Sequence, residues 1–355
     1  MSDAPDHPEA DRLPGYAHPR ETTDLFGHEA TEASFLAAYR SGRLPHAWIL
    51  GGPEGIGKAT FAYRAARFVL AHPDPLAPAV QAATSLAVPA HHPVARKIAA
   101  QSHGGLFVLR RQWSAEKKNL PTQIPVDLVR KALDFFGSTA AVPGWRVCIV
   151  DSAEDLNANG ANALLKTLEE PPSRSLFLVV SHLPGRIMPT IRSRARQLAL
   201  RPLQPEQIVA AATAAGSQAP ADLLREAASF GEGSVRRALK LTDEDTIAVV
   251  RHIRAALQRL PAIDWTDAHA IAEGLAGRAS DADFEAAVET MFGWLSEQAH
   301  RAAGEGAARL APLAEVWDKV ARALREARGF NLDRRALILS LFTDLSEALR
   351  ASRAA

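Results

Sequence analysis

The stretch GGPEGIGKATF, residues 51–61, decides the fold, because it lies between a short apolar run and a helical pattern. Ala47–Leu50 (AWIL) precedes it and Thr60–Leu70 follows it. In this context the glycines let successive backbone N–H groups face one anion, the helix N-terminus adds its positive end, and Lys58 reaches the outer phosphates. We therefore predict a nucleotide-binding phosphate loop rather than a chance glycine turn, formed by Gly52, Pro53, Glu54, Gly55, Ile56, Gly57, Lys58, Ala59 and Thr60.

This loop lacks the residue that usually holds magnesium. A hydroxyl is expected directly after Lys58, but that position is Ala59. Thr60 comes one residue late, about 100° further around the helix, which is too far to replace the hydroxyl without a change in the loop.

A second element of the site is RVCIVDSAEDLN, residues 146–157. Asp151 ends an apolar run, where a carboxylate can lie close to magnesium; the alternative is a helix-capping or strand-terminal acid. Ser152 occupies the position where a water-orienting acid is expected, and we expect Glu154 and Asp155 to be directed elsewhere. Because the hydroxyl and the acid are missing together, the sequence predicts that hydrolysis is absent or weak.

Strands alternate with helices up to about residue 201, and helical patterns follow from there to the end. This alternation predicts an α/β domain with a mostly parallel sheet, followed by an all-α part. The predicted strands are Ala47–Leu50, Leu106–Leu109, Val147–Val150 and Leu176–Val180, and the predicted helices between them are Thr60–Leu70, Val126–Phe136 and Ala161–Leu168. We divide the chain into a flexible N-terminal tail (1–18), an α/β domain (19–200) with an Ala/Pro/His-rich insertion (72–105), a small helical domain (201–243) and a C-terminal helical domain (244–355).

Composition excludes several classes of function. The 355 residues carry a formal net charge of +1, so no global field attracts nucleic acid or a membrane. Cys148 is the only cysteine, which excludes an internal disulfide and a four-cysteine zinc site. No apolar run approaches the ~20 residues of a membrane span, and the first residues lack the apolar core of a signal peptide. We expect a cytoplasmic protein that does not bind a membrane.

A basic run, SHLPGRIMPTIRSRARQLAL, follows the last predicted strand. Residues 183–203 contain five arginines and no acidic residue, which is typical of a solvated face. An arginine at the rim of a nucleotide-binding domain can instead reach a neighbouring subunit and stabilise charge on its γ-phosphate. Arg236, in GSVRRALKL, begins a later helix and could contact a nucleotide held between domains.

Together these stretches resemble the clamp-loader branch of the AAA+ family. HAWILGGPEGIGKAT, VDLVRKAL, NALLKTLEEPP, PTIRSRARQ and GSVRRALKL carry the resemblance, which extends from about residue 18 to the end. It implies a RecA-like P-loop domain, a helical lid and a helical collar for the three domains. It also implies that Ser181 and Arg236 are nucleotide sensors and that Arg194 is an arginine finger acting in trans.

The resemblance implies a stator subunit in the clamp loader of bacterial DNA polymerase III, a nucleotidyltransferase. Its partners would be gamma/tau and delta subunits in a heteropentamer, the sliding clamp and primed DNA, with ATP or ADP bound but not hydrolysed. The alternative is an ATP-hydrolysing gamma/tau-type motor or another AAA+ remodeller. DNA contact by Lys166 also stays open, the other interpretation being an ordinary exposed helix lysine.

One departure from the family concerns metal. Relatives often hold zinc with four cysteines in the insertion, whereas residues 72–105 contain none. Adjacent histidines that point apart make a poor tetrahedral site, so we predict a solvated loop without zinc. The histidines of this segment are His72, His91, His92 and His103.

Overall fold

The computed structural model describes residues 8–114, 116, 118–137, 144–277, 281–330 and 333–355. The chain divides into two compact units, Met1–Leu239 and Lys240–Ala355. The first unit contains the strands β1 (Ala47–Gly51), β2 (Leu106–Arg110), β3 (Arg146–Asp151), β4 (Ser175–Ser181) and β5 (Arg196–Ala199). Its helices are α1 (Glu29–Arg40), α2 (Lys58–Ala71), α3 (Pro78–Ala82), α4 (Pro93–Ala99), α5 (Val126–Gly137), α6 (Ala158–Glu169), α7 (Pro189–Arg192), α8 (Pro205–Ala214), α9 (Ala221–Phe230) and α10 (Val235–Lys240).

The five strands form one parallel sheet in the order β2-β3-β4-β1-β5. Alternate residues of a strand face opposite sides, so Trp48 and Leu50 enter the core that contains α1 and α2. Ile49 enters the opposite core, with Val129 of α5 and Leu164 of α6. A sheet covered on both faces explains the continuous apolar strands, and the predicted α/β fold is confirmed.

The topology brings the predicted site residues to one edge of the sheet. The phosphate loop leaves the carboxyl end of β1, and Asp151 and Ser181 end β3 and β4. Because β1, β3 and β4 are parallel, these ends lie at the same edge, where ligands of such sheets bind. The sequence analysis missed β5, an edge strand in which only Leu198 is buried.

The insertion, residues 72–105, is not the solvated loop that we predicted. It contains α3 and α4, and it buries Val80, Leu86 and Ile98 in the core that contains α2. Two of its histidines act as local caps, because His92 Nδ1 accepts a hydrogen bond from the Val94 amide and His103 Nδ1 accepts one from the Gly105 amide. These side chains stabilise turns within the segment.

The described part of the predicted tail, residues 8–18, packs against the domain instead of extending from it. Asp11 pairs with Arg110 at the end of β2 and with His18, whose Nε2 lies 3.0 Å from Asp11 Oδ1. Glu9 lies 2.8 Å from Arg20 and 2.6 Å from Arg110. His18 is fully buried, so these ion pairs fix the segment in place. Residues 1–7 of the predicted tail lie outside the described residues.

The helices α8 to α10, which we assigned to a separate small domain from residue 201, cluster with the sheet in the first unit. The second unit consists of α11 (Glu244–Gln258), α12 (Trp265–Gly274), α13 (Asp281–Ala303), α14 (Ala307–Phe330) and α15 (Arg334–Ala354). Its apolar core includes Ile253, Leu295, Leu313 and Phe342, and the predicted all-α part is confirmed. Within the described residues, no helix is long and apolar enough to span a membrane.

Candidate nucleotide site

The loop between β1 and α2 adopts a conformation that requires glycine. Gly52, Gly55 and Gly57 have φ values of +148°, +76° and +103°, a region that side chains with a Cβ rarely adopt. A Cβ on Gly55 would lie 2.1 Å from Ser234 Oγ and 2.6 Å from Arg236 Cβ. The glycine spacing seen in the sequence therefore has a steric cause in the folded chain.

Lys58 begins α2 and is almost completely buried beneath the loop. Its Nζ donates a hydrogen bond to the Gly52 carbonyl at 2.7 Å and another to the Pro53 carbonyl. Burial lowers the pKa of Lys58 to about 8, and the nearby charges of Glu54 and Asp151 oppose that effect. The ammonium is thus held within the loop at the position where phosphate oxygens would meet it.

Asp151 ends β3 and is only 9% exposed. Burial, and after it the negative charge of Asp11, raise the pKa of its carboxyl to about 7 against the opposing charge of Lys58. A buried acid at the end of this strand, beside the lysine of the loop, is the arrangement expected of a metal–nucleotide site. Asp11 enters this environment from the segment that we had predicted to be a free tail.

Glu154 faces the site, contrary to our prediction that it would be directed elsewhere. It lies in a short 3₁₀ helix, Ala153–Asp155, after β3. Its Oε1 accepts hydrogen bonds from Ser181 Oγ at 2.5 Å, from the His182 amide at 3.1 Å and from the Leu183 amide at 2.9 Å. Burial opposes ionisation of Glu154, but these hydrogen bonds outweigh burial and lower its pKa. The hydroxyl of Ser181, the predicted sensor, is therefore bonded to a carboxylate.

The helix α10 contacts the phosphate loop directly. The Gly55 carbonyl accepts hydrogen bonds from the Val235 amide at 2.9 Å and from the Arg236 amide at 3.4 Å. The Arg236 side chain lies 3.6 Å from the Glu54 carboxylate. These contacts place Arg236 beside the loop.

These groups surround a cavity of 470 Å³, within the range of about 300–1,000 Å³ that is typical of small-molecule sites. The predicted residues in its wall are Glu54, Gly55, Ile56, Gly57, Lys58, Ala59, Thr60, Asp151 and Arg236. Gly52, Pro53 and Ser181 lie beside it and contact it through Lys58 and Glu154. The size and the donor set fit a mononucleotide.

The sequence analysis missed much of the cavity wall. One side is built by residues from the range 10–26, of which Ala10, Asp11, Leu13, Tyr16 and Ala17 belong to the predicted tail. Glu154, Asp155 and His182 also line it. The only sequence signal for these residues was the position of the acids after β3, since nothing in a Pro- and Asp-rich segment indicates where it packs.

Ala59 and Thr60 line the cavity as well, and Ser152 follows Asp151 in its wall. Ala59 has no oxygen in its side chain, so the hydroxyl that usually follows the loop lysine is missing at this position. Within the described residues, no group of three or more histidine, cysteine or acidic side chains could hold a metal ion.

Arg194, the predicted finger, lies outside this cavity. It follows α7 and its side chain is 36% exposed. Its Nη2 lies 2.8 Å from Glu169 Oε1 at the end of α6, and its Nη1 donates a hydrogen bond to the Thr190 carbonyl at 3.0 Å. The guanidinium is therefore accessible and fixed in direction.

A parallel five-stranded sheet, a glycine loop with a buried lysine, and an acid at the end of β3 define a P-loop protein. Residues 27–204 match the family described as DNA polymerase III, delta subunit, and the chain belongs to that family. The predicted resemblance to clamp loaders is thereby confirmed.

Individual relatives agree with this assignment. The chain is 38% identical over 154 residues to DNA polymerase III subunit delta' of Pseudomonas aeruginosa, which covers 43% of this chain and 42% of the relative. It is 30% identical over 231 residues to subunit delta' of Escherichia coli, covering 65% and 64%. It is 31% identical over 191 residues to subunit gamma/tau of Mycobacterium tuberculosis, covering 53% and 30%. The matches thus span less than two thirds of each relative's length.

A solved structure, a DNA polymerase III gamma subunit-related protein of Thermotoga maritima, has a TM-score of 0.41 and 14% identity. It covers 90% of this chain and 100% of its own. This likeness is too low to support a conclusion about function.

Proposed function

We propose that this chain is a delta'-type stator of a DNA polymerase III clamp loader, which binds nucleotide without hydrolysing it and donates Arg194 to a neighbouring motor subunit. Its partners would be gamma/tau and delta subunits in a heteropentamer that loads the sliding clamp onto primed DNA. The observation that carries the proposal is the position of Arg194, which is exposed, held by contacts with Glu169, Thr190 and Ser193, and separate from the chain's own cavity.

The contacts of Arg194 suit a group that acts on another subunit. A guanidinium that stabilises developing charge on a γ-phosphate must be fixed in direction before the reaction, since reorganisation during the reaction would cost catalysis. Glu169 and the Thr190 carbonyl provide that direction while the side chain stays accessible. Glu169 belongs to the LEEPP motif, so the motif would hold the finger in position.

The chain's own cavity supports binding better than hydrolysis. Lys58 and the amides of the loop would hold the phosphates, and Arg236 would approach them from α10. The phosphates of the nucleotide would carry the negative charge that Lys58 and the loop amides neutralise. The loop lacks the hydroxyl that usually follows its lysine, because that position is Ala59, and Ser152 stands where the water-orienting acid is expected. Loss of such groups typically costs orders of magnitude in rate.

The second candidate, an ATP-hydrolysing motor, is favoured by one observation: Glu154, an acid, lines the cavity. A general base must accept a proton from water, and its efficiency falls as its pKa falls. Three hydrogen bonds lower the pKa of Glu154 and occupy one of its oxygens, so it is poorly suited to that role. The stator remains the better supported function.

The test is Arg194→Ala in a clamp loader reconstituted from this chain with gamma/tau and delta subunits, the clamp and primed DNA. An arginine finger is worth about 10³–10⁵ in rate, so we expect one motor site to fall silent while the complex still assembles. Arg192→Ala, an exposed neighbour in the same segment, is the matched control and should leave the ATPase unchanged.

Two results would contradict the proposal. One is an unchanged ATPase rate in the assembled Arg194→Ala complex, with assembly checked by size-exclusion chromatography. The other is ATP turnover by the isolated chain at the rate of an assembled motor, which would favour the second candidate instead.

A further inference from the structure

The carboxylate of Glu154 occupies a cluster of donors that faces the nucleotide cavity. Its Oε1 accepts from one hydroxyl and two backbone amides at the carboxyl end of β4, all between 2.5 and 3.1 Å. Three donors that converge on one oxygen form an anion site. In this chain the anion is supplied by the protein itself.

This anion lies close to the loop that would hold phosphates. Glu154 and Lys58 both line the cavity, and the charge of Glu154 raises the pKa of Lys58. Lys58 is the residue that reaches the outer phosphates in such loops. The three donors at the end of β4 therefore bound the side of the cavity where the last phosphate of a nucleotide would lie.

The formal charges of the cavity wall already favour a ligand with fewer negative charges. The wall contains three basic side chains besides His182, namely Lys58, Arg111 and Arg236. It contains six acidic side chains, namely Asp11, Asp24, Glu54, Asp151, Glu154 and Asp155. A further phosphate would add negative charge to this wall, and Ala59 lacks the hydroxyl that would help a metal ion to offset it.

We propose that Glu154 takes the place of a terminal phosphate and makes this cavity selective for nucleoside diphosphates over triphosphates. This rests on the proposed nucleotide binding and not on the role of Arg194. To bind at the donors of Ser181, His182 and Leu183, a γ-phosphate must displace Glu154. The displaced carboxylate would lose three hydrogen bonds beside a second anion. A diphosphate ends before this point and leaves those bonds intact.

The test compares the affinities of ADP and ATP for the full chain, freed of bound nucleotide, by isothermal titration calorimetry with and without Mg²⁺. Hydrogen bonds to a charged group of this kind correspond to about 10- to 100-fold in affinity, so the wild-type chain should bind ADP tighter than ATP by that factor. Glu154→Ala frees the donors and should raise ATP affinity, so that the ratio approaches one. Glu154→Gln keeps the size of the side chain, so it should reduce the preference for ADP over ATP by less than Glu154→Ala does.

Asp155→Asn is the matched control, because it removes one negative charge from the same wall without touching the three donors. By the charge argument it should raise the affinity for ATP slightly more than that for ADP, but it should shift their ratio much less than Glu154→Ala does. Equal affinities of the wild-type chain for ADP and ATP would overturn the proposal, as would a failure to bind either. An unaltered ratio in both folded Glu154 variants, or a ratio that shifts equally in Asp155→Asn, would also overturn it. None of these results would touch the Arg194 test.

Discussion

Replacing Asp151 by asparagine is expected to stabilise the first unit at alkaline pH and to leave it nearly unchanged near pH 4. The folded chain raises the pKa of this carboxyl from 3.8 to about 7, mainly through burial and then through Asp11. Because the pKa of Asp151 is higher in the folded state, the stability contributed by its protonated form is fully present below pH 3.8. That stability is lost as the pH rises from 3.8 through about 7. Asparagine resembles the protonated acid and never ionises, so the variant avoids that loss.

The magnitude follows from the two pKa values. A difference between 3.8 and about 7 corresponds to about 4 kcal/mol, reached at pH 8. The free energy of unfolding of Asp151→Asn minus that of the wild type should therefore rise by about 3–4 kcal/mol between pH 4 and pH 8. Most of the rise should fall between pH 4 and pH 7.

The assay is urea unfolding at several pH values, followed by tryptophan fluorescence, with Trp48 in strand β1 as a buried probe. Taking the difference between variant and wild type removes the titration of groups that do not interact with Asp151. Asp127→Asn, an exposed acid on α5 of the same unit, should show no such rise. A difference that stays flat from pH 4 to pH 8 would refute the argument that Asp151 is strained by burial.

Two further substitutions test the loop and the N-terminal segment. Gly55→Ala should destabilise the first unit by about 1–3 kcal/mol, because the φ of Gly55 is +76° and the new Cβ would clash with Ser234 and Arg236. Gly185→Ala is the control: a Cβ there would meet nothing within 4 Å, so it should be neutral in the same urea titration. Asp11→Asn should destabilise the first unit at pH 7 by about 2 kcal/mol, because contacts with His18 and Arg110 lower the pKa of Asp11 to about 2 although burial opposes this. The stability that the ionised Asp11 contributes is present above pH 3.8 and is lost as the pH falls through about 2. An equal effect of Asp11→Asn at pH 7 and pH 2.5 would show that the carboxylate's charge is not what matters.

The sheet could be predicted because its signals are local. The strands β1, β3 and β4 are buried on both faces, and such strands appear in the sequence as continuous apolar runs. The edge strand β2 is only half-buried, but its sequence, LFVLR, still carries four apolar residues in succession. The strand β5, at the other edge of the sheet, was missed because it has no such apolar run. Its sequence, RQLA, carries a single buried apolar residue and reads as part of the basic run.

The phosphate loop could be predicted for the same reason, since its glycines and lysine are neighbours in sequence and carry their own geometry. Glu154 could not be placed, because its partners Ser181 to Leu183 lie 27 to 29 residues further along the chain. The composition of the first 18 residues suggested a flexible tail, yet Asp11 pairs with Arg110, which is 99 residues away. Partners at such separations depend on strand order, which local patterns do not specify.

Shortening the chain to begin at residue 19, where composition suggests that the folded part starts, would remove Glu9, Asp11 and His18 together. Arg110 would lose all three of these neighbours and Arg20 would lose Glu9, and a guanidinium left in a low-dielectric position without its anion is costly. Such a truncated protein would also lack part of the enclosure around its ligand. Weak binding or poor yield from it would therefore reflect where it was cut and not what the complete polypeptide can do.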